Sequence, residues 1–186
     1  MRTPQLMDRS TSRLVVVDMQ EKLLPVVDRH DDVLRRTLQL VRAAQILDVP
    51  TTATEQYPRG LGGTVAELAA AIADRPEKLR FSAAECLDWA SEGNLAEAKY
   101  QIVIAGIETH VCVLQTALDL VSKGFNVFVV ADAVGSRTAE DKSIALKRLS
   151  DEGIQIVSTE MVLFEWCEVA GTDEFKQISK LVTNRD

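Results

Sequence analysis

Three side chains of this sequence have types that could do chemistry together: the thiol of Cys112, the carboxylate of Asp18 and the ammonium of Lys78. A carboxylate beside a thiol can take its proton, and a nearby ammonium steadies the thiolate and an anionic intermediate. Each also has a plainer use: Cys112 as a small core hydrophobe, Asp18 as a common strand-end acid, Lys78 as a solvated charge that Arg80 could replace. The two histidines, His30 and His110, show no metal-ligand spacing, so no catalytic metal is expected. His30 precedes an acidic helix start and reads as surface. His110 stands two residues before Cys112 and is either a substrate contact or a solvated helix-start residue. A serine triad lacks its G-x-S-x-G elbow.

These side chains meet only if the fold brings the ends of several strands to one edge. The sequence supplies such strands. Arg13 to Met19 is a continuous apolar run closing on Asp18, and Ile102 to Ala105 is a second, interrupted by Gly106. From Thr109 the stride changes, with Val111, Leu114, Leu118 and Val121 on one helical face and Lys123-Gly124 as the stop. Cys112 then falls in a first helical turn, where free N–H groups and the dipole favour a thiolate.

The remaining segments alternate in the same way. A helix over 31–48 carries Leu34, Leu38, Val41, Ala44 and Leu47 on one stripe, and a strand over 51–54 ends at Glu55-Gln56-Tyr57. The P-R-G-L-G-G stretch from Pro58 reads as a flexible loop without a phosphate-binding spacing. An alanine-rich helix is predicted over Thr64 to Ala73, a strand over Lys78 to Phe81, and a helical segment capped by Ser82 and containing Cys86. Asn94 to Lys99 leads into the strand before Gly106. A strand over Asn126 to Val130, a helix opened by the Thr138/Asp141 pair and ending near Gly153, a strand over Ile154 to Val157, and helices over Ser158 to Cys167 and Thr172 to Leu181 complete the chain. Strand–helix alternation predicts an α/β fold: one doubly wound parallel sheet of about six strands, with helices on both faces. It forms a single domain over residues 1–186, with its core at about 12–182. In such a sheet the carboxyl ends of the strands share one edge, where ligands bind.

Composition narrows the partners. At 186 residues with 46% apolar and 26% charged content, the chain is an ordinary globular protein with room for one core. A net charge of −7 without a Lys/Arg cluster argues against nucleic acid or an anionic membrane, and no stretch approaches membrane-spanning length. The first dozen residues contain no apolar signal-peptide core. Three separated cysteines, Cys86, Cys112 and Cys167, fit reduced thiols and a cytoplasmic location.

The V-V-V-D-M-Q run at Val15 to Gln20, K-L-R-F-S at Lys78 to Ser82, G-I-E-T-H-V-C-V at Gly106 to Val113 and V-V-A-D-A-V-G-S-R from Val129 together resemble the isochorismatase-like cysteine hydrolases, which include nicotinamidases and N-carbamoyl amide hydrolases. The resemblance spans nearly the whole chain. It implies Asp18 as general base, Lys78 as cation and Cys112 as nucleophile, cleaving a small amide, carbamoyl or ester substrate through a thioester without a cofactor. It also implies a non-proline cis peptide between Ile107 and Glu108, with backbone N–H groups of Ile107, Glu108 and Cys112 serving an oxyanion. Gln20, Gln56, Tyr57 and His110 are the expected substrate-pocket residues.

Nicotinamidases carry an Asp-x-His metal motif where this chain has Glu55-Gln56-Tyr57-Pro58, which speaks against zinc and against nicotinamide. The T-E-Q-Y-P stretch looks like the branch called isochorismatase domain-containing proteins. Isochorismatases that cleave a vinyl ether do not need the cysteine, so its presence favours acyl chemistry. The alternatives are a vinyl-ether hydrolase and a non-catalytic oligomeric scaffold that kept the fold. The family habit, with apolar Val162, Leu163, Phe164 and Trp166 near the C-terminus, implies a homo-oligomer.

Overall fold

Successive residues of a strand point to opposite faces, and Leu14 to Val17 uses both. Leu14 and Val16 enter one apolar cluster, Val15 and Val17 the other, all fully buried. A computed structural model of the chain describes residue 3 and residues 5–90 and 99–183. Among these, the strands are β1 (Ser12–Val17), β2 (Thr51–Gln56), β3 (Glu77–Lys78), β4 (Gln101–Ile107), β5 (Asn126–Gly135) and β6 (Gln155–Val157). The helices are α1 (His30–Ile46), α2 (Pro58–Leu61), α3 (Ala66–Ala69), α4 (Leu114–Ser122), α5 (Ala139–Asp151), α6 (Thr159–Cys167) and α7 (Asp173–Thr183). The strands form one parallel six-stranded sheet in the order β3-β2-β1-β4-β5-β6. Residues of α1, α3, α6 and α7 pack on one face of it, and residues of α4 and α5 on the other. The doubly wound sheet expected from the alternation is therefore the fold.

The strand order reverses between β1 and β4. That is the topological switch point, where a crevice opens at the carboxyl edge. Gly106 closes the two strands onto each other. Its φ is +111°, and a Cβ there would lie 2.1 Å from the Val17 carbonyl oxygen, so no other residue fits. The β4–β5 register also shifts between Ile104 and Gly106, which turns the end of β4.

Several predicted elements differ. Only Ala66–Ala69 of the alanine-rich segment is helical. The chain beyond it must run extended beside β2: Ala53 N–H donates to Asp74 O (3.0 Å), Glu55 N–H to Pro76 O (3.1 Å) and Tyr57 N–H to Lys78 O (2.9 Å). Pro76, which has no donor, sits on this outer edge. The strand placed at Lys78 to Phe81 is Glu77–Lys78 instead, because the Arg80 and Phe81 carbonyls turn toward the Lys78 amine. The P-R-G-L stretch is a helical turn rather than a flexible loop.

Ser82 Oγ accepts from Ala84 N–H (3.3 Å), and the segment after it makes turns and a 3-10 turn at Asp88–Ala90 in place of a helix. The fifth strand continues to Gly135. The face of α4 on the core is Leu114, Ala117 and Leu120, with Val121 exposed, because Thr109–Val113 is wound as a π-helical turn that shifts the phase. The lead-in placed at Asn94 to Lys99 lies mostly outside the described residues. Val162, Leu163 and Trp166, offered as an association surface, are buried in the chain's own core, with Trp166 Nε1 donating to Ser12 Oγ (3.0 Å). Phe164 alone of that group is exposed, against Phe175.

Thr138 caps α5 as its spacing predicted, accepting from Asp141 N–H at 3.1 Å. Thr138→Ala is expected to cost about 1 kcal/mol in urea unfolding. No change in the unfolding midpoint would show that this cap carries no stability.

Candidate active site

Asp18 follows β1 directly, and its backbone turns left-handed there (φ 50°). The turn drops the side chain under the sheet edge, where it is fully buried. Lys78 Nζ donates to Asp18 Oδ2 at 2.7 Å, and Thr54 Oγ1 donates to Oδ1 at 2.7 Å. Burial raises the carboxyl's pKa, and Lys78, Cys112 and Thr54 oppose that rise. Thr54 was not anticipated. It lies within β2, beside Val17 in the ladder and so next to the strand end that carries Asp18.

Lys78 ends β3, with its side chain 3% exposed. Its ammonium also donates to Gln56 Oε1 (2.6 Å), Phe81 O (2.8 Å) and Arg80 O (3.3 Å). Arg80 itself is exposed and paired with Glu85, so it does not stand in for Lys78. Cys112 sits in the π-helical turn after β4 with 6% exposure, and the charges of Asp18 and Lys78 both act on its thiol. Acid, cation and thiol thus converge at the switch point. The thiolate expected from the helix start is not the resting state: burial first, then the adjacent Asp18 charge, push the Cys112 pKa up to about 12. A dipole effect of about 1 kcal/mol is too small to overcome those two.

The other candidate positions divide. Gln20 is fully buried; its Nε2 donates to Gln56 O (3.0 Å) and Gly62 O (2.7 Å), and its Oε1 accepts from Gln56 N–H (2.7 Å). Gln56 turns its side chain to Lys78 and to Leu79 O. Tyr57 is half-exposed and, with Pro58, Arg59, Glu77, Lys78 and Leu79, lines a cavity of about 380 Å³ beside the site. His110 Nδ1 lies 3.0 Å from Ser136 Oγ. The Ile107–Glu108 peptide is cis. Ile107 is buried in the core, and the Glu108 carboxylate pairs with Arg137 at 3.0 Å.

Glu55 is occupied by Thr64, which donates to it through N–H (2.8 Å) and Oγ1 (2.7 Å). Among the described residues no three His, Cys, Asp or Glu side chains are grouped to hold a metal ion. No helix there is long and apolar enough to cross a membrane.

The isochorismatase domain matches residues 12–161. The secreted isochorismatase effector Isc1 of Phytophthora sojae is 40% identical over 178 residues, covering 92% of this chain and 84% of that one. Among solved structures, the MAR1 ribonuclease of Caenorhabditis elegans superposes with TM-score 0.87 at 35% identity, covering 96% of this chain and 92% of that chain. YcaC of Pseudomonas aeruginosa, solved with hexane-2,5-diol and covalent acrylamide, has TM-score 0.83 at 26% identity over 99% and 98% of the two chains. YcaC of Escherichia coli, described as an octameric hydrolase of unknown specificity, has TM-score 0.82 at 28% identity over 99% and 98%. A domain match over most of the sequence and relatives aligned along nearly all of it place this chain in the isochorismatase family.

Proposed function

We propose that this chain hydrolyses a small amide, carbamoyl or ester substrate through a thioester on Cys112, with Asp18 as base and Lys78 as fixed cation. The observation that carries this reading is the buried Asp18 carboxylate, held by Lys78 and Thr54 and near enough to the Cys112 thiol for each to shift the other's pKa. Asp18 accepts the Sγ proton as sulfur attacks the substrate carbonyl carbon. Backbone N–H groups around Glu108 and Cys112, at the start of the helical turn, receive the oxyanion. The intermediate collapses, the C–N or C–O bond breaks, and Asp18 returns the proton to the leaving group. Water, deprotonated by Asp18, then attacks the thioester, and the thiolate leaves and is reprotonated. Because the resting thiol is protonated, Asp18 must remove its proton at each turnover.

Covalent acrylamide on the Pseudomonas YcaC neighbour supports an electrophile-accepting site, since acrylamide is an amide that adds to nucleophiles. The C. elegans neighbour is described as a ribonuclease. Here a net charge of −7 disfavours a polyanionic substrate. The test is a hydrolysis screen over small amides, carbamoyl compounds, esters and RNA with Cys112→Ala as control; RNA cleavage independent of Cys112 would replace the acyl reading.

Asp18 works as a base only when ionised, so activity is present above its pKa and lost as pH falls through it. Since burial raises that pKa, the acid limb of kcat/KM should lie above about 4, the ordinary aspartate range. A limb at or below that range would remove Asp18 from the role. We also propose a homo-oligomer, on the octameric neighbour and the exposed apolar Leu79, Phe81 and Ile144. Light scattering showing only monomer at micromolar concentration would contradict it. A cytoplasmic placement fits three free cysteines, although the Phytophthora relative is named as secreted.

A further inference from the structure

Lys78 is placed by more than its ion pair. An ammonium has three N–H donors. At 2.6 Å, 2.7 Å and 2.8 Å, Gln56 Oε1, Asp18 Oδ2 and Phe81 O take all three, with Arg80 O at 3.3 Å as a fourth acceptor. No donor is left for sulfur or substrate unless one of these bonds breaks. Lys78 therefore acts on Cys112 as a stationary charge rather than as a hydrogen-bond donor.

The Gln56 amide cannot flip. Its Nε2 donates to the Leu79 carbonyl at 2.8 Å, so Oε1 must be the atom that faces the ammonium, which itself only donates. Gln56 is in turn fixed along its backbone. Gln20 Oε1 accepts from its N–H, while Gln20 Nε2 donates to its carbonyl and to Gly62 O. Both glutamines are buried. The Gln20 amide thus fixes the Gln56 backbone, and the Gln56 side chain, anchored on Leu79 O, aims its carbonyl oxygen at Lys78.

We propose that Gln56 is a positioning residue that holds Lys78 as a fixed charge beside Asp18 and Cys112, with Gln20 as the strut that sets Gln56. In place of a substrate-pocket role, Gln56 acts on the thiol through Lys78. The inference uses the acyl reading only for its consequence in turnover. Its test reads the thiol directly, so a failed substrate screen and a failed positioning role give different results.

The experiment follows carboxamidomethylation of Cys112 by iodoacetamide at pH 9, resolved by peptide mass spectrometry, with Cys167 as the remote internal control. Gln56→Met keeps the length but removes the oxygen that orients Lys78. Gln56→Glu keeps an acceptor but adds a negative charge and leaves Leu79 O without its donor. Losing one charge-assisted bond, or adding the charge, is expected to slow Cys112 by about tenfold, the equivalent of one unit in thiol pKa, with Glu slower than Met and Cys167 unchanged. If Gln56 only pins the 79–81 loop, both variants melt earlier while the Cys112 rate stays at the wild-type value, and the proposal is overturned. Should Gln56→Met fail to fold, Gln56→Glu alone decides on the same criterion.

Discussion

Cys112→Ala is expected to lower turnover of any amide or ester substrate by about 10⁴-fold or more, leaving only what the oxyanion donors and binding supply. The fold should survive, since the lost group is one sulfur at the rim of the second core cluster. Cys112→Ser should fail almost as badly. Asp18 must take the proton of the nucleophile in the attack, and a hydroxyl gives up its proton far less readily than a thiol. A vinyl-ether hydrolase would keep its rate in both variants, and a scaffold protein would have no rate to lose.

Asp18→Asn is expected to have the second large effect, and here activity and stability separate. Turnover should fall about 10²- to 10⁴-fold for loss of the base. Stability should fall by about 3–5 kcal/mol, because the Lys78 ammonium is left buried without its counter-charge. Adding Lys78→Met removes the orphaned charge, so the double variant should recover much of the stability and none of the activity. Urea unfolding beside a turnover assay reads both quantities. If Asp18→Asn lost stability but kept its rate, Asp18 would be a structural counter-ion only.

Much of this site was legible in the chain. Asp18 closes an apolar run that could only be a buried parallel strand, and Cys112 follows a second one through Gly106. Both runs became neighbouring strands at the switch point. Roles for these residues came from motif resemblance, since spacing alone left Lys78 and Arg80 interchangeable. What the pattern missed was set by long-range hydrogen bonds. The strand predicted over Lys78 to Phe81 failed because its carbonyls serve the Lys78 ammonium. The pairing of Gln20 with Gln56 spans 36 positions, and nothing in one dimension announces it. The protonation state of Cys112 was misjudged for the same reason: a helix start is visible in sequence, whereas burial against Asp18 is not.

The most direct measurement is mass spectrometry of the protein quenched in acid during turnover of a substrate found by the screen. An adduct of the acyl mass should appear on the peptide containing Cys112, decay as substrate is exhausted, and be absent from Cys86 and Cys167. Hydrolysis at the wild-type rate in Cys112→Ala, with no adduct on the wild-type peptide, would contradict the account.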